Sequence, residues 1–464
     1  MAIAPPMLGP SFAEELPGLT PWEVFLRVVH QPHVVFFDSA QISPQGRYSY
    51  VSADPTAWLE ADPDPFVAVR KLLGSYRVER APGLPPFQGG VAGLFGYELS
   101  RHLEKLPRPA VDDFATPQLA VGFYDWVFAY DHAASKGWLI VTGLPDTEPA
   151  ARQARIQRRR DQIMRWLDST PTPPPWPKVA PAPLQAPTFP IHEGLASNFD
   201  RAGYLRMMRR GIEYIHAGDC FQVNLSQRLV HPLDAAPLEI YRRLRTRNAA
   251  PFAGYLDVGE FVIASASPER FLRLSGGEVE TRPIKGTRPR GLYPMEDMAR
   301  GGDLQESIKD RAENVMIVDL LRNDLGRVCE YGSIRVSAVC QLETFRFVHH
   351  LVSEIRGQLR PGLDAIDLLR ATFPGGSITG APKIRAMEII TELENVARGP
   401  YCGCLGYLGL DGSMDLNLLI RTMTLGKGWA HFSVGGGIVA DSVPEREYEE
   451  TWHKAAGLLR ALEE

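Results

Sequence analysis

Apolar positions recur along this chain with two spacings, and each predicts an element. In "NFDRAGYLRMMRRGIEYIH", from Asn198, they fall three and four apart, which predicts an amphipathic helix ending at Gly218-Asp219. The following "CFQVNLSQRLVHP" predicts a strand. "HVVFFDSAQ" from His33 and "YSYVSADPTAWLEA" from Tyr48 carry β-branched and aromatic runs and predict further strands. "VGFYDWVFAYDH" from Val121 and "GWLIVTGL" from Gly137 read as a pair of strands. "GGVAGLFGYELS" from Gly89 reads as a tight strand-to-helix turn in the core, with neither a Walker pattern nor a GxGxxG. "DLLRATFPGGSITGAPKIRAMEIITELE" predicts helix, glycine-rich turn and a second helix starting at Pro382. "GCLGYLGLDGSMDLNLLIRTMTL" predicts a hairpin around Asp411-Gly412, and "AHFSVGGGIVADS" a strand running into a glycine turn at 435–437. Hairpin strands alternating irregularly with helices give an α+β fold class and not a doubly wound parallel sheet. No internal repeat is visible.

The clearest break is "STPTPPPWPKVAPAPLQAPTFP", residues 169–190, whose prolines continue neither a helix nor a central strand. It divides an N-terminal region, 1–168, closed by the charged helical stretch "ARQARIQRRRDQIMRWLDS", from a C-terminal region, 191–464.

Composition narrows the function classes. The 464 residues are 44% hydrophobic and 23% charged, an ordinary globular composition. The formal net charge of −5 argues against a general nucleic-acid binder, so local basic clusters point to a small anionic ligand. Five scattered cysteines with no CxxC pair suggest reduced thiols in the cytoplasm. The N-terminal stretch has neither a basic nor an apolar signal-peptide segment, and no window reaches the ~20 apolar residues of a membrane helix. "GPYCGCLGYLG" lacks the glycine spacing of a glutaminase nucleophile elbow.

Three features carry candidate chemistry. In "TRPIKGTRPRG", Lys285 lies among Arg282, Arg288 and Arg290. Such a loop is either an exposed basic surface or the place of a lysine held partly neutral by cationic neighbours, ready to act as a nucleophile. In the C-terminal segment, Ser442 reads as a helix cap and Pro444 as first-turn proline. Tyr448, Trp452, Ala455, Leu459 and Leu462 form its apolar stripe, and Glu447 and Glu450 lie together away from it. "SIKDRAENVMIVDLLRNDLG" offers Asp310 and Glu313 at the same spacing on a more apolar helix. Two such pairs suit a hard divalent cation, Mg²⁺ above all, although spacing alone does not show that they meet; solvated acidic faces are the alternative.

Taken together, "PFQGGVAGLFGYELSRHLEKLP", "FQVNLSQR", "SASPERFL", "TRPIKGTRPRG", "DRAENVMIVDLLRNDLGRV", "HHLVSEIRG", "FPGGSITGAPKIRAMEII", "IRTM" and "GGGIVADSVPEREYEET" make the chain resemble the chorismate-using enzymes. That is the family of the anthranilate synthase and aminodeoxychorismate synthase large components, and the likeness runs nearly end to end. It implies one large unit of two packed antiparallel sheets with outer helices, the proline-rich segment crossing its surface.

The resemblance also implies roles. Members similar to anthranilate synthase have alanine where this chain has Lys285; those similar to aminodeoxychorismate synthase component I have lysine, which attacks chorismate and is then displaced by ammonia. Glu269 is the implied general acid/base and His350 the active-site histidine. Glu313 and Glu450 are the implied direct Mg²⁺ ligands, with Asp310 and Glu447 behind them; aspartate at 310 replaces the glutamate of some relatives. Gly286, Thr287, Ser377, Tyr401, Arg421, Gly435, Gly436 and Gly437 match substrate contacts. Gln222 stands where water-adding relatives have a lysine base, which points to ammonia as nucleophile. Ser39, Arg47 and Tyr48, with Pro251, Phe252 and Ala253, match a tryptophan pocket used by relatives for feedback or as a structural site; tryptophan binding is left open. Ammonia is expected from a separate glutamine amidotransferase subunit. The rival readings are anthranilate synthase component I and a non-catalytic chorismate- or tryptophan-binding relative.

Overall fold

The structure, a computed structural model, describes residues 7–60, 62–171, 176–192, 194–345 and 348–463. The first six residues of the N-terminal stretch and residues 172–175 of the proline-rich segment lie outside it.

Two large antiparallel sheets form the frame. One has 13 strands, and its centre runs through Gln222–Pro232, Trp429–Ile438, Thr422–Gly426, Phe261–Ser267, Phe252–Asp257, Val35–Asp38, Tyr48–Ser52 and Trp126–Asp131. The other has 10 strands and runs from Ile284–Pro289 through Val348–Gln358, Glu278–Thr281, Arg270–Ser275, Met414–Leu418, Cys404–Gly409 and Gly90–Phe95 to Leu119–Tyr124 and Ala57–Leu59. The halves on either side of the proline-rich segment share both sheets: Val35–Asp38 pairs with Phe252–Asp257, and Gly90–Phe95 with Cys404–Gly409. The described part of the segment is tied to the C-terminal half, with Trp429 Nε1 donating to the Ala182 carbonyl at 2.8 Å.

Side-chain alternation explains the layers. Along Gly90–Phe95, Ala92 and Leu94 join Val35, Val127, Ile140 and Ile263 between the sheets. Val91 and Phe95 face the other way, into a cluster with Ile317, Leu321, Leu368 and Leu369 of outer helices. A strand covered on both faces is apolar throughout, which is why such segments read as continuous hydrophobic runs. A third cluster buries helices Pro21–Val28, Pro237–Arg247 and Pro444–Leu462 on the outer face of the larger sheet. Among the described residues no helix is long and apolar enough to cross a membrane.

The structure corrects three local expectations. "VGFYDWVFAYDH" is two strands in different sheets, divided at Asp125, which is fully buried against Arg159 at 3.1 Å. The chain changes sheets there, and an apolar pattern common to both strands carries no mark of it. Gly435–Gly437 is not a turn; the three glycines sit inside the strand Trp429–Ile438, opposite Ser226, Leu225 and Asn224. Ser442 does not cap the last helix. Its hydroxyl donates to the Glu447 carboxylate at 2.8 Å, and Glu447, expected on an open face, is buried.

Candidate active site

Lys285 lies on the edge strand Ile284–Pro289, which pairs with Val348–Gln358. The register slips between Lys285 and Thr287. Gly286, at φ +80°, forms the irregularity, and a Cβ there would meet Leu304 at 2.9 Å and Asp310 at 3.0 Å. The Lys285 ammonium donates to the Ser377 carbonyl at 3.1 Å. The residue keeps a part-open face, yet its ammonium is closely surrounded by protein.

That enclosure lowers the Lys285 pKa first of all, with Lys454 helping and Glu313, Glu269 and Glu450 opposing. The neighbouring arginines, expected to do this, are engaged elsewhere. Arg282 pairs with Glu343 and Glu354, Arg288 with Asp310 at 2.9 Å and Arg290 with Asp297 at 2.6 Å. Sequence proximity named the wrong cations, because each of these guanidinium groups is turned to a carboxylate of its own.

Glu269 and Arg421 both stand where the chain crosses between sheets. Glu269 falls between Phe261–Ser267 and Arg270–Ser275; Arg421 falls between Met414–Leu418 and Thr422–Gly426. The crossings are tied together: Leu418 N–H donates to the Glu269 carbonyl at 3.0 Å, and Ala266 N–H to the Arg421 carbonyl at 3.0 Å. The Glu269 carboxyl is buried and accepts from Ser377 Oγ at 3.0 Å. Burial pushes its pKa up to about 7, while Ser377, Lys285 and Arg421 pull it back. Ser377, expected at the substrate, is thus engaged with both Lys285 and Glu269. Arg421 has no ion-pair partner among the described residues and lines a cleft with His350; burial lowers its pKa and Glu269 opposes this.

His350 stands opposite Thr287, whose hydroxyl lies 2.8 Å from its Nδ1. Burial, and then Arg421, push its pKa down to about 3, so the ring is neutral at physiological pH. Gln222 is fully buried, and among the described residues neither the oxygen nor the nitrogen of its amide has a hydrogen-bond partner. A Cβ at Gly437 would meet Gln222 Nε2 at 2.5 Å and Lys285 Nζ at 3.3 Å, so the glycine lets both groups approach one backbone segment. A Cβ at Gly436 would meet Lys454 at 3.4 Å, Glu447 at 3.6 Å and Glu450 at 3.7 Å. At Gly435 it would strike the Leu225 carbonyl at 2.2 Å, a matter of strand packing. Tyr401 is buried in a loop beside this site, its ring 5.5 Å from the Arg398 guanidinium.

The two acidic pairs do meet. Asp310 and Glu313 are on helix Ile308–Gly326, Glu447 and Glu450 on helix Pro444–Leu462, and Lys309 bridges them, 4.0 Å from Glu313 and 3.6 Å from Glu447. Burial raises the pKa of Glu313 and of Glu447, whereas Lys454, at 2.7 Å, lowers that of Glu450. Crowded carboxylates with an ammonium reaching between them fit a hard divalent cation by donor chemistry. Among the described residues no three such side chains are close enough to enclose an ion as they stand, and Asp310 is held aside by Arg288. Lys309 and Lys454 went unnoticed in the sequence; each lies four residues from a ligating candidate, one helical turn away.

In the other predicted pocket, Ser39 Oγ donates to the Tyr48 carbonyl at 2.6 Å and lies 3.5 Å from that of Pro251, so these three residues come together. Arg47 is turned to Asp131 at 2.7 Å. The Phe252 ring is covered by Arg270 at 4.9 Å, and Ala253 is a sheet position opposite Ala266.

Residues 31–460 match the family described as chorismate binding enzyme. The chain belongs to that family. It is 46% identical over 389 residues to anthranilate synthase component 1 of Thermus thermophilus, covering 83% of this chain and 80% of that one. It is 41% identical over 458 residues to aminodeoxychorismate synthase component 1 of Salmonella typhimurium, covering 95% of each. The crystal structure of anthranilate synthase component I from Streptococcus pneumoniae matches with a TM-score of 0.76 at 31% identity, over 90% of this chain and 93% of that one. On this frame Glu269, Glu313 and Glu450 all act on the Lys285 ammonium, and His350 and Arg421 line a cleft with Lys454. The relatives' names alone leave two reactions open.

Proposed function

We propose that the chain is aminodeoxychorismate synthase component I, converting chorismate and ammonia to 4-amino-4-deoxychorismate. The observation that carries this reading is Lys285: an ammonium enclosed by protein, with lowered pKa, linked through Ser377 to a carboxyl whose pKa is about 7. An amine attacks only when neutral, and a carboxyl poised near neutrality can deliver a proton.

In this mechanism the neutral Lys285 amine bonds to C2 of chorismate. The ring double bonds shift and the C4 hydroxyl leaves as water with a proton from Glu269. Ammonia then bonds to C4, the double bonds shift back, and the lysine amine departs. Arg421 binds a substrate carboxylate, and neutral His350 donates or accepts a hydrogen bond without adding charge. Gln222, uncharged, leaves ammonia and not deprotonated water as the nucleophile. Mg²⁺ held by Glu313 and Glu450, with Asp310 and Glu447 behind, would neutralise the ring carboxylate when bound. Ammonia would come from a separate amidotransferase subunit, and the pathway is that of para-aminobenzoate and folate in the cytoplasm. Tryptophan at the Ser39–Pro251 pocket is an additional ligand to test.

The 46% identity to an anthranilate synthase favours a second reading, in which amination at C2 is followed by loss of pyruvate. The product separates them: chorismate, ammonium and Mg²⁺ should yield 4-amino-4-deoxychorismate by mass and chromatography. Wild-type protein with chorismate but no ammonia should add mass at Lys285 in a digest. Lys285→Ala should lose that adduct, and any residual product should be aminated at C2. An alanine variant still making the C4-aminated product at the wild-type rate would remove Lys285 as nucleophile; anthranilate from the wild type would establish the second reading.

A further inference from the structure

A cleft of about 400 Å³ extends from His350 and Arg421 to the outer face of helix Pro444–Leu462. Its charged lining is one-sided. Arg247, Arg421, Lys454 and Arg460 line it, with His350 and His453, and among the described residues no aspartate or glutamate does. The inner cations, Arg421 and Lys454, belong to the site already described. The outer groups do not: His453 and Arg460 are exposed. Arg247 donates to the carbonyls of Arg460 at 2.5 Å and Glu463 at 3.0 Å, which fixes its charge at the helix end beside the cleft.

We propose that this outer cleft is an electrostatic access path that draws the chorismate dianion inward, with Arg460 and His453 as its docking groups and Arg421 as its end. A cleft walled by low-dielectric protein and lined by one sign of charge focuses the field along its axis and raises the local concentration of a counter-charged ligand. Two carboxylates on the ligand double the attraction felt from each cation. The inference rests on the chorismate part of the proposed reaction and is indifferent to which aminated product is released.

The test is chorismate consumption at fixed low ammonium, with added sodium chloride setting ionic strength, in wild type and in Arg460→Glu, Arg460→Gln and Arg210→Glu. Arg210 is exposed on helix Arg201–His216, paired with Glu213 and outside the cleft, so Arg210→Glu makes the same change in net charge elsewhere. Arg460→Glu should lower kcat/KM for chorismate by roughly three- to ten-fold at low salt, with kcat unchanged, and the loss should shrink as salt screens the field. Arg460→Gln should lose about half as much on a logarithmic scale, and Arg210→Glu should match wild type. Equal losses in Arg210→Glu, no loss in Arg460→Glu, or a loss that salt leaves intact would each overturn the proposal. Equilibrium dialysis with chorismate runs in parallel. A protein that binds but does not consume chorismate would sink the proposed reaction, and the salt-dependent affinity of the variants would still decide the access path.

Discussion

Replacing Ser377 with alanine removes one hydrogen bond from the Glu269 carboxylate and leaves the carbonyl that holds Lys285 in place. The lost bond is 3.0 Å long, charge-assisted and buried. Such bonds contribute about 1.5–3 kcal/mol. At about 1.36 kcal/mol per pKa unit, the Glu269 pKa should rise by about one to two units. The direction follows from the donor: Ser377 favours the ionised carboxylate, so its loss favours the protonated form. If protonated Glu269 delivers the proton to the departing hydroxyl, the alkaline fall of kcat/KM moves from near 7 in wild type to about 8–9 in Ser377→Ala. A pH profile of kcat/KM for chorismate reads this directly. Stability offers a second readout with a defined sign. The folded pKa of about 7 lies above the ordinary 4.5, so the contribution of protonated Glu269 is present below 4.5 and is lost as pH rises to about 7. In Ser377→Ala that loss should extend to higher pH in a thermal-unfolding series. A variant whose rate profile and unfolding profile both superimpose on wild type would refute Ser377 as a group that lowers the Glu269 proton affinity.

Glu313→Gln and Glu450→Gln should nearly abolish turnover and weaken Mg²⁺ binding by calorimetry while the protein stays folded; unchanged Mg²⁺ dependence in both would remove them as ligands. Asp310→Asn should lose less, because Arg288 already holds Asp310 aside at 2.9 Å. The purified chain should use ammonium salts but not glutamine, and glutamine-dependent activity from this chain alone would contradict a separate amidotransferase. Arg398→Met should lower stability by about 3–5 kcal/mol in urea melts, because the buried Glu394 carboxylate that Arg398 meets at 2.6 Å keeps its hydrogen bonds from Ser226 but loses its counter-charge. A loss under about 1 kcal/mol would show that Glu394 is satisfied without it.

Much of this protein was legible in the residues, because local rules act within a few positions. Asp310 and Glu313, and Glu447 and Glu450, each share a helix face because three residues span most of a turn. Gly286 had to be glycine for the left-handed φ that breaks the strand beside Lys285. The family motifs named the lysine, the glutamate, the histidine and the arginine that the fold then gathers. Only the tertiary structure decided what those groups feel. Helical spacing fixes a face and not its neighbour, so the meeting of the two carboxylate pairs across Lys309 required both helices in place. The three arginines beside Lys285 in sequence are each paired with a carboxylate, while burial lowers its proton affinity and Lys454, 169 positions away by number, acts in the same direction. The division of one apolar run at Asp125 between two sheets was equally hidden, since both strands are covered on both faces. Burial and through-space charge belong to the packed chain: they depend on distances that no spacing along the sequence specifies.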